Sequence, residues 1–122
     1  MLLPNGETAI VDLRKLRDYC LSPDSPQGSK KARVFSAALG LTAADAETLR
    51  EKLLAVARTH TVVLGELDMY GQRYTLDFEM VTAAGAAPVR SGWIILRGET
   101  KPRLTTCYVL KRKRYVEENR SS

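Results

Sequence analysis

The sequence predicts an α+β domain in which two or three N-terminal helices pack on a four-stranded antiparallel meander sheet. Up to His60 the apolar residues recur at helical spacing, and beyond it the period falls to two. Four strand-like runs then follow one another through short, turn-rich connections, and such runs pair antiparallel and in chain order. Helices gathered ahead of a sheet that alternates on one face make a two-layer sandwich.

Residues 1–10 read as an extended arm. Asp12 suits the N-cap of a first helix, with Leu13, Leu16 and Cys20 at helical spacing behind it. The two prolines and the glycine within Ser22–Gly28 stop that helix. A second helix is expected from Lys30 to Leu39, burying Phe35, Ala38 and Leu39, with Gly40 as its C′ residue. Thr42 and Asp45 have the spacing of a capping box, with Asp a weaker partner than Glu. They open a third helix that reaches Thr59, with Leu49, Leu53 and Val56 on one stripe. Arg50, Glu51, Lys52 and Arg58 are left in water. His60, at that helix's end, suits a structural role against the last carbonyls.

Thr61 to Met69 reads as the first strand, and Tyr70-Gly71 as its turn. Gln72 to Val81 alternates cleanly, with Tyr74, Leu76, Phe78 and Met80 on one face and Arg73, Thr75, Asp77 and Glu79 on the other. Ala83 to Ala87 reads as a loose loop before a third strand, Val89 to Leu96. Gly98 to Pro102 turns into a fourth, Arg103 to Leu110.

A length of 122 residues fits one domain, expected over 1–110, with a basic tail over 111–122. A chain of this size buries somewhat over ~60% of its unfolded surface, enough to fold without a disulfide or metal. No apolar run approaches the ~20 residues of a membrane span, and the first residues lack the pattern of an export signal. A cytoplasmic protein is expected, with Cys20 and Cys107 as buried thiols. The net charge of +5 is uneven: +2 over 1–40, −2 over 41–69, +2 over 70–110 and +3 over 111–122. Such a balance permits a polyanionic partner without establishing one.

One histidine and two distant cysteines rule out a conventional Cys/His zinc site, and no cofactor is implied. Neither a P-loop nor a dinucleotide fingerprint is present. Three basic clusters remain. Lys30, Lys31 and Arg33 sit in the first turns of the second helix, where free backbone N–H groups and cations suit an anion. Arg90 on the third strand and Arg103, Thr106 and Tyr108 on the fourth lie on hairpin partners, so register decides which converge. Arg73 belongs to the polar face of the second strand. Apart from these clusters, Lys111, Arg112, Lys113 and Arg114 form a basic run in the tail, suited to a phosphate backbone. Cations on such a sheet face stabilise a pentavalent phosphate, and hydroxyls or a carboxylate handle its protons.

The runs Ile10-Val-Asp-Leu-Arg-Lys-Leu-Arg-Asp-Tyr-Cys-Leu and Lys31-Ala-Arg-Val-Phe-Ser-Ala-Ala-Leu-Gly-Leu-Thr resemble a small bacterial domain family of unknown function. Tyr70-Gly-Gln-Arg-Tyr74, Val89-Arg-Ser-Gly-Trp-Ile94 and Pro102-Arg-Leu-Thr-Thr-Cys-Tyr108 extend the resemblance over nearly everything but the tail. Members of that family occur alone in small operons and at the ends of polymorphic-toxin-like chains. The order of helices and strands is also similar to the barnase, EndoU, colicin and RelE-like ribonuclease toxins, an analogy of fold that does not fix function. In the family pattern a histidine stands shortly before Lys-Ala-Arg-Val-Phe, and here that place is Lys30.

Three functions follow as expectations. The first is a metal-independent ribonuclease, in which Lys30, Lys31 and Arg33 hold or deprotonate RNA, Arg90 and Arg103 clamp the phosphate, and Thr106 or Tyr108 positions it. The second is a non-catalytic module that docks a protein partner, such as a cognate neutralising protein. The third is sequence-independent nucleic-acid binding through Lys111 to Arg114.

Overall fold

Asp12 opens the first helix, its carboxylate accepting the Arg14 backbone N–H at 2.9 Å. This helix, α1, runs over Leu13–Lys15 and widens into a π-turn over Leu16–Cys20, which buries Leu16 and Cys20. The structure is a computed structural model and describes residues 1–111. The second helix, α2, spans Ser29–Leu39 and buries Ala32, Phe35 and Leu39, while Ala38 is only partly covered. Gly40 closes it in the left-handed conformation. The capping box forms: Asp45 accepts the Thr42 backbone N–H at 2.9 Å, and a 3-10 turn at Ala43–Asp45 leads into α3, Ala46–Thr59. Leu49, Leu53 and Val56 are fully buried on its inner stripe.

The strands are β1 Val63–Leu67, β2 Gly71–Thr82, β3 Gly85–Leu96 and β4 Arg103–Val109, antiparallel in the order β1-β2-β3-β4. Tyr74, Leu76, Phe78 and Met80 point inward as their alternation predicts, joined by Val89, Trp93, Leu104 and Cys107. Helix α2 lies across β2, β3 and β4, whereas α3 packs on α1 and on a 3-10 turn at Gly6–Thr8.

Four expectations are corrected. Ala83 to Ala87 is not a loose loop, because Thr82 pairs directly with Gly85 across a two-residue turn. The Thr82 hydroxyl accepts the Ala84 N–H and donates to the Leu39 carbonyl, which fixes that turn against the end of α2. The first strand is shorter at both ends. Val62 donates its N–H to Met1, and Asp68 accepts from the Tyr70 and Gly71 backbones to form the turn. The N-terminal arm is no free extension: the Ile10 N–H donates to Pro102 and the Leu104 N–H to Ile10, a parallel bridge to the start of β4. Arg50 is not simply solvated but donates to the Val11 carbonyl at 2.9 Å. The His60 ring meets the Thr59 hydroxyl at 3.0 Å, and that hydroxyl reaches the Ala55 carbonyl.

Both cysteines are free and fully buried. Among the described residues no helix is long and apolar enough to cross a membrane.

Candidate functional site

Register sorts the outer face of the sheet into rows. Arg73, Ile94 and Arg103 share one row, Thr75, Gly92 and Thr106 the next, and Asp77, Arg90 and Tyr108 a third. Between the first two rows β4 carries an extra residue, Thr105, where the pairing shifts between Gly92 and Trp93. A Cβ on Gly92 would stand 2.9 Å from Thr105 Oγ1 and 3.1 Å from a Thr106 methyl, so only glycine lets both threonines share that face.

Lys31 crosses from the helical layer to this face. From the first turns of α2 its ammonium donates to Thr106 Oγ1 at 3.0 Å. On the way it stands 5.5 Å from the ring centroids of both Tyr19 and Tyr108, close enough for each ring's negative face to attract it. The start of α2 comes this near to α1 because Gly28 has no side chain: a Cβ there would fall 2.0 Å from the Tyr19 carbonyl oxygen. The Gly28 N–H also donates to the buried Ser25 hydroxyl at 3.1 Å.

Arg90 stands beside Tyr108 across the hairpin. It grips Asp77 in a fork, with Nε to Oδ1 and a terminal nitrogen to Oδ2 both at 2.9 Å. That carboxylate, with a smaller contribution from the Tyr108 hydroxyl, drives the guanidinium's pKa further up, so Arg90 is a permanent cation. The result is one continuous cluster, Tyr19, Lys31, Thr106, Tyr108, Arg90 and Asp77, wrapped around the edge of β4.

The other residues singled out by sequence fall elsewhere or at the margin. Lys30 is exposed and lines, with Lys31, Val34, Tyr108 and Val109, a cleft of about 200 Å³ between α2 and β4. Arg33 is two residues beyond Lys31 and so faces another way. It borders a separate apolar hollow of about 180 Å³ with Leu21, Pro23 and Leu41. Arg103 is paired to Glu99 at 3.0 Å and sits opposite Ile94, four residues along β3 from Arg90, roughly 13 Å away. The structure therefore does not bring Arg90 and Arg103 together. Arg73 is engaged by Asp68 at 2.7 Å, and this contact, with the Tyr70 and Gly71 N–H groups, holds the Asp68 carboxyl below the usual carboxylate range. Lys111 is exposed, while Arg112, Lys113 and Arg114 lie outside the described residues.

Tyr19 was not among the sequence-predicted residues. No local signal marks it, because its approach to Lys31 depends on the π-turn and on Gly28. Beneath the cluster, burial pushes the Cys20 and Cys107 thiols up. Among the described residues no group of three or more His, Cys, Asp or Glu side chains gathers as a metal site.

A helix-then-meander α+β domain with a cationic, tyrosine-lined sheet edge is thus the class to which this molecule belongs. Residues 2–111 match the domain of unknown function DUF6883, and the chain belongs to that family. No curated protein matches it.

Proposed function

We propose that the domain acts on RNA in the cytoplasm as a metal-independent ribonuclease of the toxin-like kind, with its site at the β4 edge. The observation that carries this reading is the Lys31 ammonium held between two tyrosine rings and tied to Thr106, one row from the Arg90 fork. Two cations of fixed position on either side of Tyr108 suit a phosphodiester, and partly open tyrosine rings suit unstacked bases.

In the reaction the ribose 2′-oxygen attacks the adjacent phosphorus, and the bond to the 5′-oxygen breaks. The products are a 2′,3′-cyclic phosphate and a 5′-hydroxyl end. Lys31 and Arg90 stabilise the extra negative charge of the pentavalent intermediate. Asp77 accepts the 2′ proton and Tyr108 supplies one to the departing oxygen, so proton gain and loss balance. Lys30, at the rim of the cleft, attracts the neighbouring phosphate. Arg103 and Arg73 belong to the approach to the site rather than to the clamp.

Labelled RNA incubated with the full chain in chelator tests this. Cleavage is expected, with 2′-deoxy substrate left intact and Lys31→Ala slowing the reaction at least about a hundredfold. Arg90→Ala should do the same, while Arg103→Ala alone should have a small effect.

A second reading, a non-catalytic module that docks a protein partner, is favoured by the ion pairs themselves. Arg90 and Arg103 are already neutralised by Asp77 and Glu99, as on a sheet face built to meet another protein. Absence of cleavage by the unmodified chain would move the assignment to that module.

A further inference from the structure

Beside the Lys31 ammonium, the cleft between α2 and β4 differs in character from the charged surface around it. Val34 and the stem of Lys30 stand one helical turn apart on the same side of α2, and Val109 and the Tyr108 ring close the cleft from β4. Val109 belongs to the core and Val34 packs against it, so the fold itself holds these walls. The surface they present is almost wholly apolar.

The cations around the cleft are unmatched. Arg73, Arg90 and Arg103 are each paired with a carboxylate, whereas among the described residues no acidic group meets Lys30 or Lys31. Lys31 commits one of its three N–H donors to Thr106 and keeps two. An apolar slot flanked by two such ammoniums suits an occupant that carries a ring and a negative charge on one molecule. An aliphatic side chain of a protein supplies only the first of these.

Size and lining narrow the occupant further. At about 200 Å³ the cleft is smaller than the ~300–1,000 Å³ pockets that enclose a drug-sized ligand. It therefore takes one ring system and leaves the attached sugar and phosphate outside. Tyr108 joins the two places, because it walls the cleft and is also the cross-strand neighbour of Arg90. Of the side chains that read base edges, only the two lysines are present. Lys30 is exposed at the rim and Lys31 is turned to Thr106, and no Asn, Gln, Asp, Glu or Ser lines the walls.

We infer that this cleft is the subsite for one unstacked base of a single-stranded RNA, gripped by its faces and not read by its edge. All four bases are then accepted, because stacking on an aromatic ring tolerates any base. The inference rests on the reading of the β4 edge as an RNA site; it adds where a base is held and that the site does not select it.

NMR titration of the full chain in chelator tests this, with 2′-O-methyl RNA trinucleotides that attack by the 2′-oxygen cannot cut. The two outer residues are abasic, the central one carries adenine, cytosine, guanine, uracil or no base, and the Val34 and Val109 methyl signals report on the cleft. The four bases are expected to bind within about threefold of one another, and the fully abasic trimer at least roughly tenfold more weakly. Val34→Trp fills the slot and Tyr108→Leu removes its aromatic wall. Each should shrink the gap between base-bearing and abasic trimers below about threefold while leaving the abasic affinity, set by the cations, in place. Circular dichroism checks that both variants fold, and the partly exposed Tyr108 keeps the test available if tryptophan does not fit.

Equal binding of base-bearing and abasic trimers overturns the inference. So does a preference of about tenfold or more for one base, or a base-dependent affinity that both variants retain. Binding of no trimer at all overturns it together with the RNA site. RNA cleavage is not a readout: trimers held as expected by a chain that cuts no RNA keep the subsite and remove the ribonuclease assignment alone.

Discussion

Ser91 shows how one buried hydroxyl holds the centre of the sheet. It is fully buried, donates to the Leu76 carbonyl at 2.8 Å and accepts the Trp93 indole N–H at 2.9 Å. A tryptophan this deep needs a partner for its N–H, and the residue two positions back on the same face supplies it. Ser91→Ala leaves that donor alone in apolar surroundings, at a cost of about 2 kcal/mol. The denaturant midpoint should fall with the slope unchanged; an unaltered midpoint would show that the indole finds another acceptor. At this scale the sequence was partly legible. The second-strand core set and the stripe of α3 came directly from spacing, as did the Asp12 and Asp45 caps. That Lys31 and Arg33 part company was also readable, since residues two apart on a helix face different ways. The Lys31 contacts with Tyr19 and Thr106 were not, because they join residues far apart in sequence and depend on two close backbone approaches.

Among the elements, α3 rests on its start. Thr42 and Asp45 satisfy each other's backbone groups ahead of a 14-residue helix whose buried stripe anchors α1 and the Gly6–Thr8 turn. Asp45→Ala should cost about 1 kcal/mol, and Thr42→Ala a similar amount. The double variant should lose less than the sum, because either change alone opens the same box; strictly additive melting data would count against a shared device. The meander's order was legible from its turns, but its register was not. The extra residue at Thr105 shifts the pairing of β4, and only the crowding at Gly92 reveals it. The same shift explains why Arg90 meets Tyr108 and leaves Arg103 a separate partner. Strand lengths were misjudged where side chains make the turn, as Thr82 and Asp68 do.

For the whole molecule, the two cysteines report on cohesion. Cys20 belongs to α1 and Cys107 to β4, so they lie where the helical layer meets the sheet. Burial pushes both thiols up, so little thiolate forms at neutral pH and neither meets solvent. Both should react with an alkylating reagent only as fast as the fold opens, and together. Rapid labelling of either one in native buffer would show that the layers separate independently. The domain's charge is divided by sheet edge rather than by layer: Lys31 and Arg90 stand toward β4, whereas β1 itself has neither lysine nor arginine. The bridge from Ile10 to Pro102 and Leu104 governs the order in which such a molecule can be completed during synthesis. Within this domain the arm leaves the ribosome ahead of every other element, yet its hydrogen-bond partners are among the last residues of the domain to emerge. While the domain grows, the helices are present before the surface they cover, and the arm waits until β4 has been made. A chain interrupted anywhere before β4 therefore leaves both its first segment and its core unfinished at once.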